Sequence, residues 1–248
     1  MNDPVLFLDF DGTLAPLQSH PDSVWLSDKQ SDLLRATTKR IPTVILSGRA
    51  LPDLLKRIPG DFLAGVAGDH GASRIFRGKS YVQDKAKEVR SLIPELSSLL
   101  QQHIHSWSGV HVEEKEYSIS VHYRHLPIAQ WAAFYESIEK VGSSSYFESL
   151  KILPGKCVWE FRHPMINKET ALLWYLQKLA EERGQLRWPG QPIMIGDDTT
   201  DWMSIKTAIG LGGTGIWVGG DLPDTRPPHP LHLSSPEDVW KWLEFFQK

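Results

Sequence analysis

Val5-Leu6-Phe7-Leu8-Asp9-Phe10-Asp11-Gly12-Thr13-Leu14 is the stretch whose reading decides the fold. An apolar run of β-forming residues ends in two carboxylates at i and i+2, which share a face on an extended strand. Gly12 then lets the backbone turn. The pattern predicts a buried parallel strand that delivers two acids to the carboxyl edge of a sheet, where open α/β folds place their ligands. Two acids at close range do not both ionise without a cation, so the pair points to a bound metal or a shared proton. A buried strand followed by an Asx turn fits this stretch alone equally well. The residues around it separate the two readings.

Working outward, Ser27 to Arg40 predicts a helix with Ser27 as N-cap and Leu33 and Leu34 inward. Pro42 to Leu46 is a second buried strand, ending in Ser47-Gly48-Arg49, and Pro52 opens a short helix through Arg57. A third apolar run, Phe62 to Ala67, ends in Gly68-Asp69-His70-Gly71. Strand, helix, strand, helix, strand predicts a parallel sheet with right-handed crossovers. The pattern resumes at Asn167, with a helix from Lys168 to Arg183 and a fourth buried strand, Pro192 to Gly196, ending in Asp197-Asp198-Thr199-Thr200-Asp201. Ile209 to Val218 reads as one or two short strands, Leu231 to Leu233 as another, and Ser235-Pro236-Glu237-Asp238 as the start of a last helix. The fold class expected is α/β, with a Rossmann-like parallel-sheet core over residues 1–78 and 163–248.

Residues 79–162 follow a different rhythm. Helix (about Asp84 to Gln102), two strands (Val110 to Lys115, Ser118 to Arg124), helix (Pro127 to Val141) and two strands ending at Arg162 predict an inserted α+β domain with an antiparallel sheet. Ser118, Ser120, His122 and Arg124 alternate with Ile119, Val121 and Tyr123. The polar set therefore faces either solvent or a polar ligand.

Composition narrows the function classes. Of 248 residues 41% are hydrophobic, which supplies a core, and a net charge of -3 with pI near 6.4 makes no electrostatic case for nucleic acid or an anionic membrane. A single cysteine, Cys157, excludes an intrachain disulfide and suits a reducing compartment. With neither a signal-type segment nor a membrane-length apolar run in the sequence, the expected location is the cytoplasm. Gly210-Leu211-Gly212-Gly213-Thr214-Gly215 fits GxGxxG, yet strand-like residues follow where a dinucleotide site needs a helix. His103 with His105, and His229 with His232, lack partners at zinc spacing.

Together the strand ends offer Asp9, Asp11, Ser47, Asp197, Asp198 and Asp201, with Lys168 at a helix start. Carboxylates in that number suit a hard, oxygen-loving cation, and Mg2+ beside a phosphate is the usual solution. Lys168, Ser47 and the backbone amides after Asp11 can hold phosphate oxygens. The chemistry indicated is phosphoryl transfer.

These pieces resemble the haloacid dehalogenase superfamily of phosphatases: DxDGTL at Asp9 to Leu14, Ser47-Gly48-Arg49, Lys168 before its helix, and GDDxTD at Gly196 to Asp201. The resemblance implies Asp9 as the nucleophile, Asp11 as the acid and base, and Lys168 as the charge-balancing catalytic cation. It implies Mg2+ as cofactor, with Asp9, Asp11 (through its carbonyl), Asp197 and Asp198 as metal residues. Thr13, Ser47, Gly48, Arg49 and His70 would bind phosphate or substrate. The insert corresponds to the superfamily's cap. Its Glu113-Glu114-Lys115, Ser118, His122-Tyr123-Arg124 and Glu160-Phe161-Arg162 resemble the cap of trehalose-6-phosphate phosphatases, as Gly68-Asp69-His70-Gly71 resembles their core loop. That closer resemblance implies a trehalose 6-phosphate substrate, with Glu113, Lys115, Ser118, His122 and Glu160 as sugar-binding residues. It also implies a monomer or weak oligomer that associates functionally with a trehalose-phosphate synthase. Two positions depart from the pattern: Trp202 stands where the family has Glu, and Asp69 where it has Asn or Ser. Alternative readings are a phosphatase of sucrose 6-phosphate or glucosylglycerol phosphate, a phosphotransferase or mutase, and a catalytically silent sugar-phosphate-binding module.

Overall fold

The computed structural model describes residues 4–18, 20–58, 60–155, 157–188, 190–224 and 229–247. In chain order its elements are β1 (Val5–Leu8), α1 (Asp28–Thr38), β2 (Thr43–Leu46), α2 (Leu51–Arg57), β3 (Gly65–Gly68), β4 (Ser73–Phe76) and β5 (Lys79–Val82). There follow α3 (Asp84–Arg90), α4 (Ile93–Ile104), β6 (His111–Glu114), β7 (Ile119–His122), α5 (Trp131–Gly142), β8 (Lys151–Gly155) and β9 (Val158–Arg162). The last are α6 (Lys168–Glu182), β10 (Pro192–Gly196), α7 (Thr199–Gly210), β11 (Thr214–Val218), β12 (Leu231–Leu233) and α8 (Pro236–Glu244). They form two compact units, Met1–Tyr81 with Asn167–Lys248, and Val82–Ile166.

The first unit is built on an eight-stranded sheet in the order β12-β11-β10-β1-β2-β3-β4-β5. Every pairing from β12 to β3 is parallel, and β3 with β4 is antiparallel. From β1 the chain winds outward through β2 and β3, then returns to lay β10 on the other side of β1. The strand order therefore reverses at β1, where an open α/β sheet forms its ligand crevice. Alternation along the strands buries both faces. Leu6 and Leu8 join Leu34, Leu54 and Val239 of α1, α2 and α8, whereas Val5 and Phe7 join Leu172, Tyr175 and Ile205 of α6 and α7. At about 1.5–3 kcal/mol per fully buried large apolar side chain, these two layers hold the strand ends in place.

In the inserted unit the sheet order is β6-β7-β9-β8, all antiparallel. Ile119, Val121, Trp159 and Phe161 are buried with Leu96 and Leu100 of α4 and Phe134 and Ile138 of α5. Phe134 stacks on Trp159 with centroids 5.2 Å apart. The opposite face carries the polar residues of the alternation.

Several boundaries differ from the sequence reading. Lys79 to Tyr81 belong to the core sheet as part of β5, reached by a tight turn in which Arg77 and Gly78 both have positive φ (48° and 75°). Positive φ at both central residues is the geometry of a two-residue hairpin turn, and Gly78 is the residue that marks it in the sequence. The helix expected over Asp84 to Gln102 is broken into α3 and α4, because Pro94 excludes a continuous helical ladder. Ile209 and Gly210 continue α7 instead of starting a strand. The helix stops when Gly212 N–H donates to Ile209 and Gly213 N–H to Ala208, with Gly212 at φ 79°. The Phe62 end of the third run forms a 3-10 turn, Gly60–Phe62, ahead of β3.

Candidate active site

Asp9 follows β1 directly, Ser47 follows β2 and Asp197 follows β10, so three parallel neighbours bring their carboxyl ends to one edge. Asn167 caps α6 by accepting the Thr170 N–H at 2.8 Å, which fixes Lys168 in the helix's first turn. Lys168 Nζ donates to Asp9 Oδ1 at 2.6 Å and to Asp201 Oδ1 at 2.7 Å. Asp9, Lys168 and Asp201 are all buried. Asp9, Asp197 and Asp201 converge, with an oxygen from each within 4.8 Å of the others. Glycine permits this crowding. A Cβ on Gly12, whose φ is 81°, would stand 2.0 Å from Asp197 Oδ2, and one on Gly196 would stand 2.4 Å from the Asp201 side chain.

Three carboxylates share one ammonium, and the electrostatics follow from that imbalance. Burial, with Asp197 adding repulsion, pushes the Asp9 carboxyl up to about 7 against the pull of Lys168. Burial and Asp9 push Asp201 up to about 7, and burial and Asp201 push Asp197 up to about 6. Burial opposes the charge on Lys168, but Asp201 and Asp9 outweigh it and hold the ammonium above the ordinary lysine range. A buried, all-oxygen donor set with surplus negative charge fits a hard divalent cation such as Mg2+.

The remaining core residues take particular places. Thr13 Oγ1 donates to Asp197 Oδ1 at 3.1 Å, so its hydroxyl orients a carboxylate of the cluster. Asp198 is not part of the cluster. Its Oδ1 accepts the Thr199 N–H at 2.7 Å and caps α7, while Asp201 Oδ2 accepts the Asp198 N–H at 3.2 Å. Asp201, one helical turn inside the cap, faces inward and converges with Asp9 and Asp197. Asp11 is also outside the cluster: Arg49 grips both its oxygens, Nε to Oδ2 at 2.7 Å and Nη2 to Oδ1 at 2.5 Å. Arg49 Nη1 also reaches Asp53 Oδ2 at 3.0 Å, and Arg57 donates to both oxygens of Asp53. Burial disfavours the Arg49 charge, yet Asp11 and Asp53 hold it above the ordinary arginine range. The i, i+4 spacing of Arg49, Asp53 and Arg57 was a legible signal for this ladder. Ser47 Oγ accepts the Arg49 N–H at 3.1 Å, and the His70 ring occupies the space a Gly48 Cβ would need, 2.7 Å from Cε1.

The cap residues form a cluster of their own on the polar face of the inserted sheet. Ser118 Oγ donates to Glu160 Oε1 at 2.8 Å, His122 Nε2 lies 2.8 Å from Glu113 Oε2, and Lys115 Nζ stands 4.0 Å from each of the two glutamates. Hydrogen bonding from His122, opposed by partial burial and aided by Lys115, holds the Glu113 carboxyl below its usual range. Acceptors and donors alternate across this face.

Comparison with known proteins decides the family. The trehalose-phosphatase profile matches residues 7–204. The chain belongs to the trehalose-phosphatase family. A trehalose 6-phosphate phosphatase of Zea mays is 31% identical over 259 residues, covering 96% of this chain and 68% of that protein. A Mycobacterium tuberculosis protein described as an uncharacterized glycosyl hydrolase is also 31% identical, over 97% of this chain. This chain spans only 18% of that mycobacterial protein's length. Among solved structures, the C-terminal domain of Candida albicans trehalose-6-phosphate phosphatase superposes with TM-score 0.78 at 20% identity, covering 99% and 93% of the two chains. It shares the fold of a haloacid dehalogenase-type core with an inserted cap.

Within this family the two departures have structural explanations. Trp202 points away from the acids and into the layer under α6 and α7, meeting the Trp217 ring edge-on at 5.7 Å and 88°. Asp69 has φ 51°, a left-handed conformation that Asp tolerates, and its Oδ2 accepts the Leu51 N–H at 3.3 Å at the start of α2. Each serves packing or loop geometry.

Proposed function

We propose that the chain is a Mg2+-dependent phosphatase that hydrolyses a sugar phosphate, trehalose 6-phosphate foremost, to the free sugar and phosphate. The observation that carries this reading is Asp9: a buried carboxylate at the strand-order reversal, 2.6 Å from Lys168, in a chain of the trehalose-phosphatase family. An Asp9 oxygen attacks phosphorus in line, the bond from phosphorus to the sugar oxygen breaks, and an aspartyl-phosphate forms. Asp11 gives its proton to the departing sugar oxygen. Water then attacks the same phosphorus, Asp11 takes a proton from it, and Asp9 is released with phosphate. Because the Arg49 fork engages both Asp11 oxygens, the proton-transfer role requires Arg49 to give up at least one of them. Lys168 neutralises charge on the nucleophile and the transferring group throughout.

Asp9, Asp197 and the Asp11 carbonyl are the groups proposed to hold Mg2+, with Asp201 behind them through Lys168. The bound ion supplies positive charge to the phosphate oxygens. Ser47, Gly48 and His70 line the loops beside Asp9 and are assigned to phosphate or substrate. Glu113, Lys115, Ser118 and Glu160 are assigned to the sugar hydroxyls, since polar groups matched to hydroxyls discriminate strongly against analogues that lack them. A trehalose-phosphate synthase, which makes this substrate, is the proposed functional associate. Among the described residues no helix is long and apolar enough to cross a membrane, and the single cysteine supports a reducing compartment such as the cytoplasm.

The test is phosphate release, with Mg2+ and with chelator, from trehalose 6-phosphate, sucrose 6-phosphate, glucose 6-phosphate and glucosylglycerol phosphate. Asp9→Asn serves as control. Mg2+-dependent turnover that favours trehalose 6-phosphate and vanishes in the variant is expected. Preference for another ester would move the substrate assignment, and binding without turnover of any ester would replace it with a silent sugar-phosphate-binding module.

A further inference from the structure

His111, outside every assignment above, opens the edge strand β6 and pairs in register with His122 of β7, which pairs in turn with Val158 of β9. Register partners share a face, so His122 stands in the row between His111 and Val158. The two imidazoles lie flat against each other, centroids 4.6 Å apart and planes 9° apart. On the diagonal of the same strand pair, His122 Nε2 reaches Glu113 Oε2 at 2.8 Å. A histidine ring half-exposed on a sheet rotates freely about χ2, and only part of that range puts Nε2 on Glu113. Stacking against the flat His111 ring narrows that range. Among the described residues no strand lies beyond β6; Lys115 stands 4.0 Å from Glu113 and His111 also acts on its charge, while His122 supplies its hydrogen bond. Its orientation therefore depends on His122, and that of His122 on His111.

We infer that His111 is a positioning residue for sugar recognition: stacked on His122, it fixes the hydrogen bond that aims the Glu113 carboxylate at a substrate hydroxyl. The inference rests on the reading of Glu113 as a hydroxyl-binding residue. It assigns His122 to holding Glu113 rather than to touching the sugar. Fixing the acceptor before binding spares the ordering entropy at the moment the disaccharide arrives, so the effect falls on substrate affinity and not on the phosphoryl step.

The test compares the full chain with His111→Ala, His111→Phe and Glu113→Gln, using trehalose 6-phosphate and the sugar-free ester p-nitrophenyl phosphate. His111→Ala is expected to raise KM for trehalose 6-phosphate about tenfold, the scale of one charge-assisted hydrogen bond, with kcat kept within about twofold. Turnover of p-nitrophenyl phosphate stays unchanged. His111→Phe, which keeps a flat ring and loses both ring nitrogens, restores KM. The His122 imidazole 15N signals move toward those of a free ring in His111→Ala and return in His111→Phe. An unchanged KM in His111→Ala beside a raised KM in Glu113→Gln would overturn the positioning role, as would failure of His111→Phe to rescue. An unchanged KM in Glu113→Gln would overturn the underlying assignment of Glu113 instead.

Discussion

Lys168 Nζ lies 2.7 Å from Asp201 Oδ1, and the other oxygen of that carboxylate accepts the Asp198 N–H at 3.2 Å. One side chain therefore completes a helix cap and anchors the ammonium that faces Asp9. Asp201→Asn keeps an acceptor for the cap and removes the charge that holds Lys168 away from full engagement with Asp9. The expected result is a folded protein whose kcat drops by about a hundredfold, the scale of a small misplacement in a catalytic site. Circular dichroism and phosphate release measure the two halves. Near-normal turnover in a folded variant would show that Asp9 alone positions the lysine.

Proton linkage has a definite sign at this cluster. Asp9 and Asp201 are pushed up to about 7, and Asp197 to about 6, in each case by burial first. In the unfolded chain these groups titrate near roughly pH 4. Between those limits the folded protein keeps protons that the unfolded chain has released, so their contribution to stability declines as pH rises through about 4 to 7. In chelator, the melting temperature of the wild-type protein relative to Asp201→Asn should fall from pH 5 to pH 8. Mg2+ should raise the wild-type melting temperature more at pH 8 than at pH 5, since it competes with those protons. An equal Mg2+ effect at both values would place the cation elsewhere.

Gly12 and Gly78 make a matched pair, with φ of 81° and 75°. A Cβ at Gly12 meets Asp197 at 2.0 Å, whereas one at Gly78 meets nothing within 4 Å. Gly78→Ala should lower unfolding free energy by about 1–2 kcal/mol, the penalty for a left-handed non-glycine residue, and leave turnover intact. Gly12→Ala should abolish turnover and Mg2+-induced stabilisation together. Retained Mg2+ stabilisation in Gly12→Ala would separate Asp197 from metal binding.

Trp202 stands where the family pattern has an acid, but its ring packs on Trp217 in the core. Trp202→Phe should lower stability by about 1–3 kcal/mol in urea unfolding through lost packing. The ratio of kcat/KM for trehalose 6-phosphate over glucose 6-phosphate should be unchanged. A shifted ratio would make Trp202 a determinant of substrate choice.

The central strand, its flanking parallel strands and the change of rhythm at the insert were legible because burial imposes period and composition on any sequence. The polar strand ends were legible for the same reason: Asp9, Ser47 and Asp197 interrupt runs that otherwise remain apolar. Sequence alone determined that an acidic strand edge would exist and that Asp9 and Lys168 would belong to it. Which acids converge was decided only by tertiary structure. Asp198 and Asp201 are equally acidic in sequence, and helix geometry sends one to the cap and the other to Lys168. Asp11 and Arg49 are 38 residues apart, and only the parallel pairing of β1 with β2 sets the guanidinium fork on the carboxylate. His111 and His122 likewise become neighbours only through the register of β6 on β7. Local spacing specifies which face a side chain takes, while contacts between distant segments depend on strand order and register, which no short stretch encodes.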